Sequence, residues 1–72
     1  MRYRAQPKAV ETVYKTFGGK EEHGGTDGWL VYFDNTEDTE NARRLINMLP
    51  GWQAVPHPNV SDMIKISGAT TY

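Results

Sequence analysis

A short apolar segment that passes directly into an amphipathic helix constrains this chain most. Residues 29–33 (WLVYF) are apolar without alternation, which is typical of a strand covered on both faces. Residues 36–49 then predict a helix, because apolar side chains recur at the helical spacing. Pro50 and Gly51 end that helix. A strand followed at once by such a helix predicts a layered α+β fold.

The predicted helix has a well-marked beginning. Asn35 or Thr36 provides the N-cap, because the side-chain oxygen of either residue can accept a hydrogen bond from the first turn. Acidic side chains follow where the helix dipole favours anions, and with the residue before the cap they form an acidic set: Asp34, Glu37, Asp38 and Glu40. These carboxylates are explained by capping, or they form an acidic edge that docks on a basic surface of another protein.

The rest of the chain predicts one more helix and several strands. Pro7 suits a first helical position, and an apolar face then runs from Val10 to Phe17. Gly18 and Gly19 end this helix. The predicted strands are residues 1–5, 20–23, 29–33, 52–55 and 63–67, with a glycine-rich hairpin turn at 24–28 and a loop at 56–62.

These elements give the order β-α-β-β-α-β with an extra C-terminal strand. That order is typical of a ferredoxin-like, two-layer α+β sandwich with two helices on one face of a mainly antiparallel sheet. The whole chain, 1–72, is predicted to form a single domain. Its predicted core is Val10, Val13, Phe17, Val31, Phe33, Ala42, Leu45, Ile46, Leu49, Val55, Ile64 and Ile66.

Composition limits the classes of function. A chain of 72 residues buries only about 60–65% of its unfolded surface, so its stability is marginal. The absence of cysteine excludes disulfides and thiolate zinc sites. A formal net charge of −1 argues against both a strongly basic nucleic-acid binder and an acidic DNA mimic. No apolar run resembles a signal peptide or membrane span, so a cytoplasmic location is expected.

No set of side chains predicts catalysis. His23 and His57 are the only histidines, and neither lies in a metal-ligand spacing. Residues 24–28 are glycine-rich, but they lead into a strand, whereas a phosphate-binding loop leads into a helix. Ser61 and Ser67 lie in no nucleophile motif. We therefore expect no enzyme activity, no metal and no cofactor.

The predicted element order and one strand resemble the RNA-recognition motif. The residues that carry the likeness are Gly28, Trp29, Leu30, Val31, Tyr32 and Phe33. The family's second glycine and leading basic residue are missing, and Asp27 stands where a cation is expected. The resemblance covers six residues, so it implies an analogy of fold and no function.

Three further groups of residues are candidates for partner binding. Two helices cover one face of a small sheet, so Leu30 and Tyr32 are left on an open face if Val31 and Phe33 face the helices. Trp29 or Trp52 could anchor a partner if partly exposed, or both pack against the helices. A loose basic group is the candidate nucleic-acid surface, or a solvated face: Arg2, Arg4, Lys8, Lys15 and Lys20.

The sequence therefore predicts a small binding protein that acts as a regulator, adaptor or inhibitor of a larger protein. A homodimer through the sheet face is a further expectation. Compact inhibitors encoded by viruses or mobile elements, such as phage accessory proteins, have this profile. The alternative is a nucleic-acid-binding module that uses the open sheet face, and the third hypothesis is a small enzyme or metal site.

Overall fold

The computed structural model describes residues 4–24 and 28–68, which form two helices and a four-stranded antiparallel sheet. In chain order the elements are α1 (Pro7–Thr16), β1 (Lys20–Gly24), β2 (Gly28–Tyr32), α2 (Thr36–Met48), β3 (Trp52–Pro56) and β4 (Met63–Gly68). The strands lie in the order β1-β2-β4-β3, so β1 and β3 are the edges. The predicted small α+β class is confirmed, as is the antiparallel pairing of an edge strand, β1, with a central strand, β2. Residues 25–27 of the predicted turn lie outside the described residues.

The ferredoxin-like order is not confirmed. Of the first predicted strand, residues 1–3 lie outside the described residues, and residues 4–6 form no strand. Ala5 instead donates its backbone N–H to the Pro50 oxygen at 2.9 Å. The predicted extra strand, β4, lies between β2 and β3 and pairs antiparallel with both. The described strands therefore contain no parallel β-α-β pair.

Helix α1 ends in two glycines that have different roles. Gly18 has φ +78°, a left-handed conformation that glycine adopts without strain. Gly19 donates its N–H to the Tyr14 oxygen at 2.7 Å, and it lies close to the sheet. A Cβ atom there would stand 2.7 Å from the Phe33 ring, so Gly19 permits the tight passage from α1 into β1.

The N-cap of α2 is Asn35. Its side-chain oxygen accepts the N–H of Asp38 at 2.8 Å, which confirms one of the two predicted caps. The helix ends at Met48, just before the predicted Pro50-Gly51 stop. Within residues 4–24 and 28–68, neither helix combines the length and the apolar character needed to cross a membrane.

The core lies between the helices and one face of the sheet, here named the covered face. Trp29 and Ile66 face each other across β2 and β4, as do Val31 and Ile64, and all four are buried. The Tyr14 ring of α1 meets Trp29 edge-on at 6.3 Å. The buried apolar residues of this core are Ala5, Val10, Tyr14, Trp29, Val31, Phe33, Ala42, Ile46, Trp52, Ala54, Ile64 and Ile66. Met63 is also buried, but it lies opposite Tyr32 and so belongs to the other face.

The prediction of a buried position is wrong for two residues of the predicted core. Leu45 is 41% exposed, because α2 faces the sheet along the line of Thr39, Ala42 and Ile46. Val55 is 40% exposed, because its neighbour Ala54 occupies the covered face and strand side chains alternate. Three others are partly buried and pack against the core: Val13, Phe17 and Leu49.

Candidate functional site on the open face of the sheet

The second face of the sheet, here named the open face, carries no helix among the described elements. Strand alternation places Leu30 and Tyr32 on it, because Val31 between them is buried in the core. Cross-strand partners share a face, which adds residues from the other strands. The open face thus comprises Lys20, His23, Leu30, Tyr32, Gln53, Val55, Met63, Lys65 and Ser67.

A groove of about 600 Å³ crosses the open face above Leu30. His23 of β1 lines one side, and His57 and Asn59 of the β3–β4 loop line another. Lys65, which is opposite Leu30 in the register, contributes the charge, and among residues 4–24 and 28–68 no carboxylate lines the groove. The fold therefore brings together both histidines and a lysine that has no ion-pair partner among the described residues.

The His57 imidazole is oriented by its own loop. Its Nδ1 accepts the backbone N–H of Asn59 at 3.1 Å. In the neutral ring the proton therefore lies on Nε2, which is the nitrogen left to donate to a ligand. The groove thus offers donors over a largely apolar floor, an arrangement that suits a partner with an acceptor beside an apolar group.

A second depression, of about 610 Å³, lies at the Tyr32 end of the sheet. Glu21 and Glu22 line it together with Tyr32 and Met63. The Glu21 carboxylate also accepts a hydrogen bond from the Tyr14 hydroxyl at 3.1 Å. Burial, together with that bond, raises the pKa of the Tyr14 phenol above its usual range. The described linings of the two depressions therefore differ in charge, with Lys65 beside Leu30 and the Glu21 and Glu22 carboxylates near Tyr32.

One member of the acidic set lies close to the open face. Asp34 pairs with Lys20 at 3.3 Å, and the same ammonium lies 5.8 Å from the centre of the Tyr32 ring. Both charged side chains are more than half exposed, so the pair contributes little to stability. Its position beside Tyr32 makes it part of the surface that a docked molecule would meet.

The other acidic residues belong to α2, whose layer packs on the covered face. Asp38 is engaged with the Asn35 cap, which also donates to its carboxylate at 3.1 Å. Glu40 accepts a hydrogen bond from Arg43 at 2.6 Å, which lowers the pKa of Glu40. Glu37 has no hydrogen-bond or ion-pair partner among the described residues. Capping and local pairing thus explain two of the four acidic residues, Asp38 and Glu40.

Both tryptophans are buried, at 5% exposure for Trp29 and 4% for Trp52. Their rings lie 5.4 Å apart, and the Trp52 indole N–H donates to the Ala5 oxygen at 2.7 Å. The alternative in which both pack into the core therefore describes the structure. Neither ring is exposed as an anchor, since each is needed where the helices meet the sheet.

The described members of the basic group do not share one surface. Arg4 lies 4.5 Å from the centre of the Trp52 ring. Lys8 and Lys15 are exposed on α1, where Lys15 pairs with Glu11 at 3.5 Å. Lys20 lies on the open face, and Arg2 lies outside the described residues. The groove contains a different cation, Lys65, which pattern reasoning missed.

The β1 edge of the sheet is protected against pairing with another strand. All five of its residues are exposed, and three of the first four are charged: Lys20, Glu21 and Glu22. The register also shifts between Glu21 and His23, which indicates a β-bulge. Charges and bulges are the means by which proteins prevent strand addition at an edge.

The described residues contain no cluster of three or more side chains suited to hold a metal ion. His23 and His57 share a groove, but the cation nearby, Lys65, disfavours a second positive charge there. The chain matches no protein-family model, no curated protein and no solved structure.

Proposed function

We propose that this chain is a non-enzymatic binding module that docks a larger protein on its open face. It would act as a regulator, adaptor or inhibitor of that protein. The observation that carries the proposal is the exposed apolar centre of the open face. Tyr32 is 39% exposed next to the half-buried Leu30 on β2. Val55 of β3 is 40% exposed and lies on the far side of Lys65 from Leu30. Contiguous apolar side chains on small proteins mark interaction sites.

The charges around this centre define the partner's chemistry. Among the residues that the structure describes, the groove above Leu30 is lined by Lys65 and two histidines and by no carboxylate. A partner surface that fits it has an apolar side chain for Leu30 and Tyr32, with a carboxylate facing Lys65. Rim charges act mainly on the association rate, whereas the apolar centre governs dissociation. A viral or mobile-element origin remains part of the proposal.

Capture from host lysate with single variants tests this proposal. We expect Tyr32→Ala to lose the captured partner while the protein stays folded, because Tyr32 lies outside the core. The matched control is Met48→Ala, since Met48 is a large apolar residue that is 76% exposed on α2. Loss of the partner with Met48→Ala but not with Tyr32→Ala would move the site to the helical surface and overturn the proposal.

The acidic set gives a weaker, kinetic effect. Glu37→Lys combined with Asp38→Lys should mainly slow association at low salt, with little change in the dissociation rate. Surface plasmon resonance with the captured partner measures both rates. Equal association rates for the variant and the wild type at low salt would exclude steering by these residues.

A second candidate function is binding of single-stranded nucleic acid on the same face. The specific observation in its favour is the groove with Lys65, His23 and His57, next to the exposed Tyr32 ring. Cations contact phosphates and aromatic rings stack on bases. Fluorescence anisotropy with mixed-sequence oligonucleotides at two salt concentrations tests it. Lys65→Gln should weaken binding and reduce its salt dependence, whereas Lys15→Gln should not.

Self-association through the open face is the remaining form of the proposal. In that form a second copy covers Leu30 and Tyr32, and sedimentation at rising concentration reveals it. Tyr32→Ala should then abolish the dimer. A chain that stays monomeric at every concentration excludes this form and leaves docking of a different protein to be tested by capture.

A further inference from the structure

The side chain of Asn47 is hydrogen-bonded to the backbone of the edge strand β3, on the side where another strand would pair. The Asn47 side-chain oxygen accepts the Ala54 N–H at 2.9 Å, and the Asn47 amide nitrogen donates to the Ala54 oxygen at 2.9 Å. Strand β4 pairs with the other side of β3. Both backbone groups of Ala54 therefore point away from β4, towards the side on which an additional strand would bind.

The neighbouring outward positions of β3 also lack free donors. In a strand, alternate residues turn their backbone groups to the same side, so residues 52 and 56 share the direction of Ala54. The Trp52 N–H donates to the Leu49 oxygen at 3.3 Å. Pro56 has no N–H. Each outward donor position of β3 is thus either occupied within the chain or absent.

The side chains of this edge offer no protection by charge. Strand β3 (WQAVP) contains no charged residue, in contrast to the β1 edge with its lysine and glutamates. An uncharged edge strand is a template for pairing unless something covers it. At β3 the Asn47 side chain covers the backbone of Ala54, and Pro56 offers no N–H to a further strand.

We propose that Asn47 is an edge lock, and that the partner it excludes is β3 of a second copy of this chain. In a two-fold antiparallel pair centred on Ala54, each Ala54 would donate one hydrogen bond and accept one. Those are the two bonds that Asn47 makes within the monomer. The lock and the second copy therefore compete for the same backbone groups.

Analytical ultracentrifugation of Asn47→Ala over a concentration series tests the lock. We expect a dimer dissociation constant about tenfold lower than that of the wild type, a change that corresponds to 1.4 kcal/mol. Asn41→Ala is the matched control, because it removes the same side chain from the same helix. The side chain of Asn41 accepts from Arg44 and makes no bond to β3, so this variant should behave as the wild type.

A double variant locates the new contact. Gln53 is exposed on β3 outside the apolar centre of the open face, and a lysine there opposes edge pairing, so Asn47→Ala with Gln53→Lys should return to monomer. Asn47→Ala with Tyr32→Ala should still dimerise, which separates the edge from the open face of the proposed function. If Asn47→Ala fails to fold, Asn47→Asp gives a milder change that keeps the acceptor for Ala54 but loses the donor.

Hydrogen exchange at the Ala54 amide completes the test. Faster exchange in dilute Asn47→Ala, combined with a tighter dimer, supports the lock. Faster exchange with self-association equal to that of Asn41→Ala would show that the bonds exist but exclude no partner, and the proposal would fail. Unchanged exchange would show that Asn47 does not hold Ala54, which would also overturn it.

Discussion

The two faces of the sheet are formed by the same strands, but the helices bury one face and leave the other exposed. On the covered face, Trp29, Val31, Ile64 and Ile66 are buried beneath α1 and α2. On the open face, the intervening residues Leu30 and Tyr32 stand in a mixed surface with lysines and histidines. In so small a chain two helices supply one core, so substitutions on the two faces should have separable effects on stability and binding.

The largest expected effect separates two adjacent residues of α2. Ile46 is fully buried, whereas Leu45 is 41% exposed. Ile46→Ala should cost about 2–5 kcal/mol, much of the total stability of a domain of this size. Leu45→Ala should cost well under half as much, because the residue leaves little cavity. Chemical denaturation of both variants measures the difference, and equal losses would show that the face of α2 against the sheet is wrongly assigned.

The contrast between Leu45 and Ile46 shows that the sequence pattern does not predict the rotation of α2 on the sheet. Helical periodicity places 42, 45, 46 and 49 on one broad face, but it does not say how the helix is rotated on the sheet. The buried Thr39, which donates to the Asn35 oxygen at 2.8 Å, indicates that rotation. A polar residue gives no signal in a pattern of apolar residues, so the sequence could not supply it.

Local sequence signals predict the helices and strands, whereas the groove on the open face depends on how the strands pair. The Asn35 cap, the two glycines after α1 and the central strand 29–33 follow from spacing and residue type. The groove depends on the register that sets Lys65 opposite Leu30 and on the loop that brings His57 beside His23. Alternation in 63–67 indicates that Lys65 faces away from the core, but only the sheet order shows what lies next to it.

A second pair compares the two faces within one strand. Val31→Ala should destabilise the fold by about 2 kcal/mol, because it removes two buried methyl groups and leaves a cavity. Tyr32→Ala, one residue further, should cost less than about 1 kcal/mol, because the ring is part-exposed. Thermal unfolding of both variants checks this order. A larger loss from Tyr32→Ala would mean that the open face is part of the core.

The smallest effect concerns Tyr14, the tyrosine that joins α1 to β1 on the covered face. Burial and the hydrogen bond to Glu21 raise the pKa of its phenol above its usual range. In the unfolded chain this phenol ionises near pH 10, whereas in the folded chain it stays neutral at that pH. Its contribution to stability is therefore complete below about pH 10 and is lost as pH rises beyond it.

Tyr14→Phe isolates this contribution. Below about pH 10 the variant should be less stable than the wild type by about 1 kcal/mol, the net value of one hydrogen bond. Above that pH the wild type should lose its advantage by about 1.4 kcal/mol per pH unit, since only it must keep a phenol protonated. Denaturation of both proteins between pH 8 and about 11 measures the difference, in which the other titrating groups cancel. A difference that stays constant across this range would show that Tyr14 is not buried beside Glu21, and the covered face would then extend less far than the structure describes.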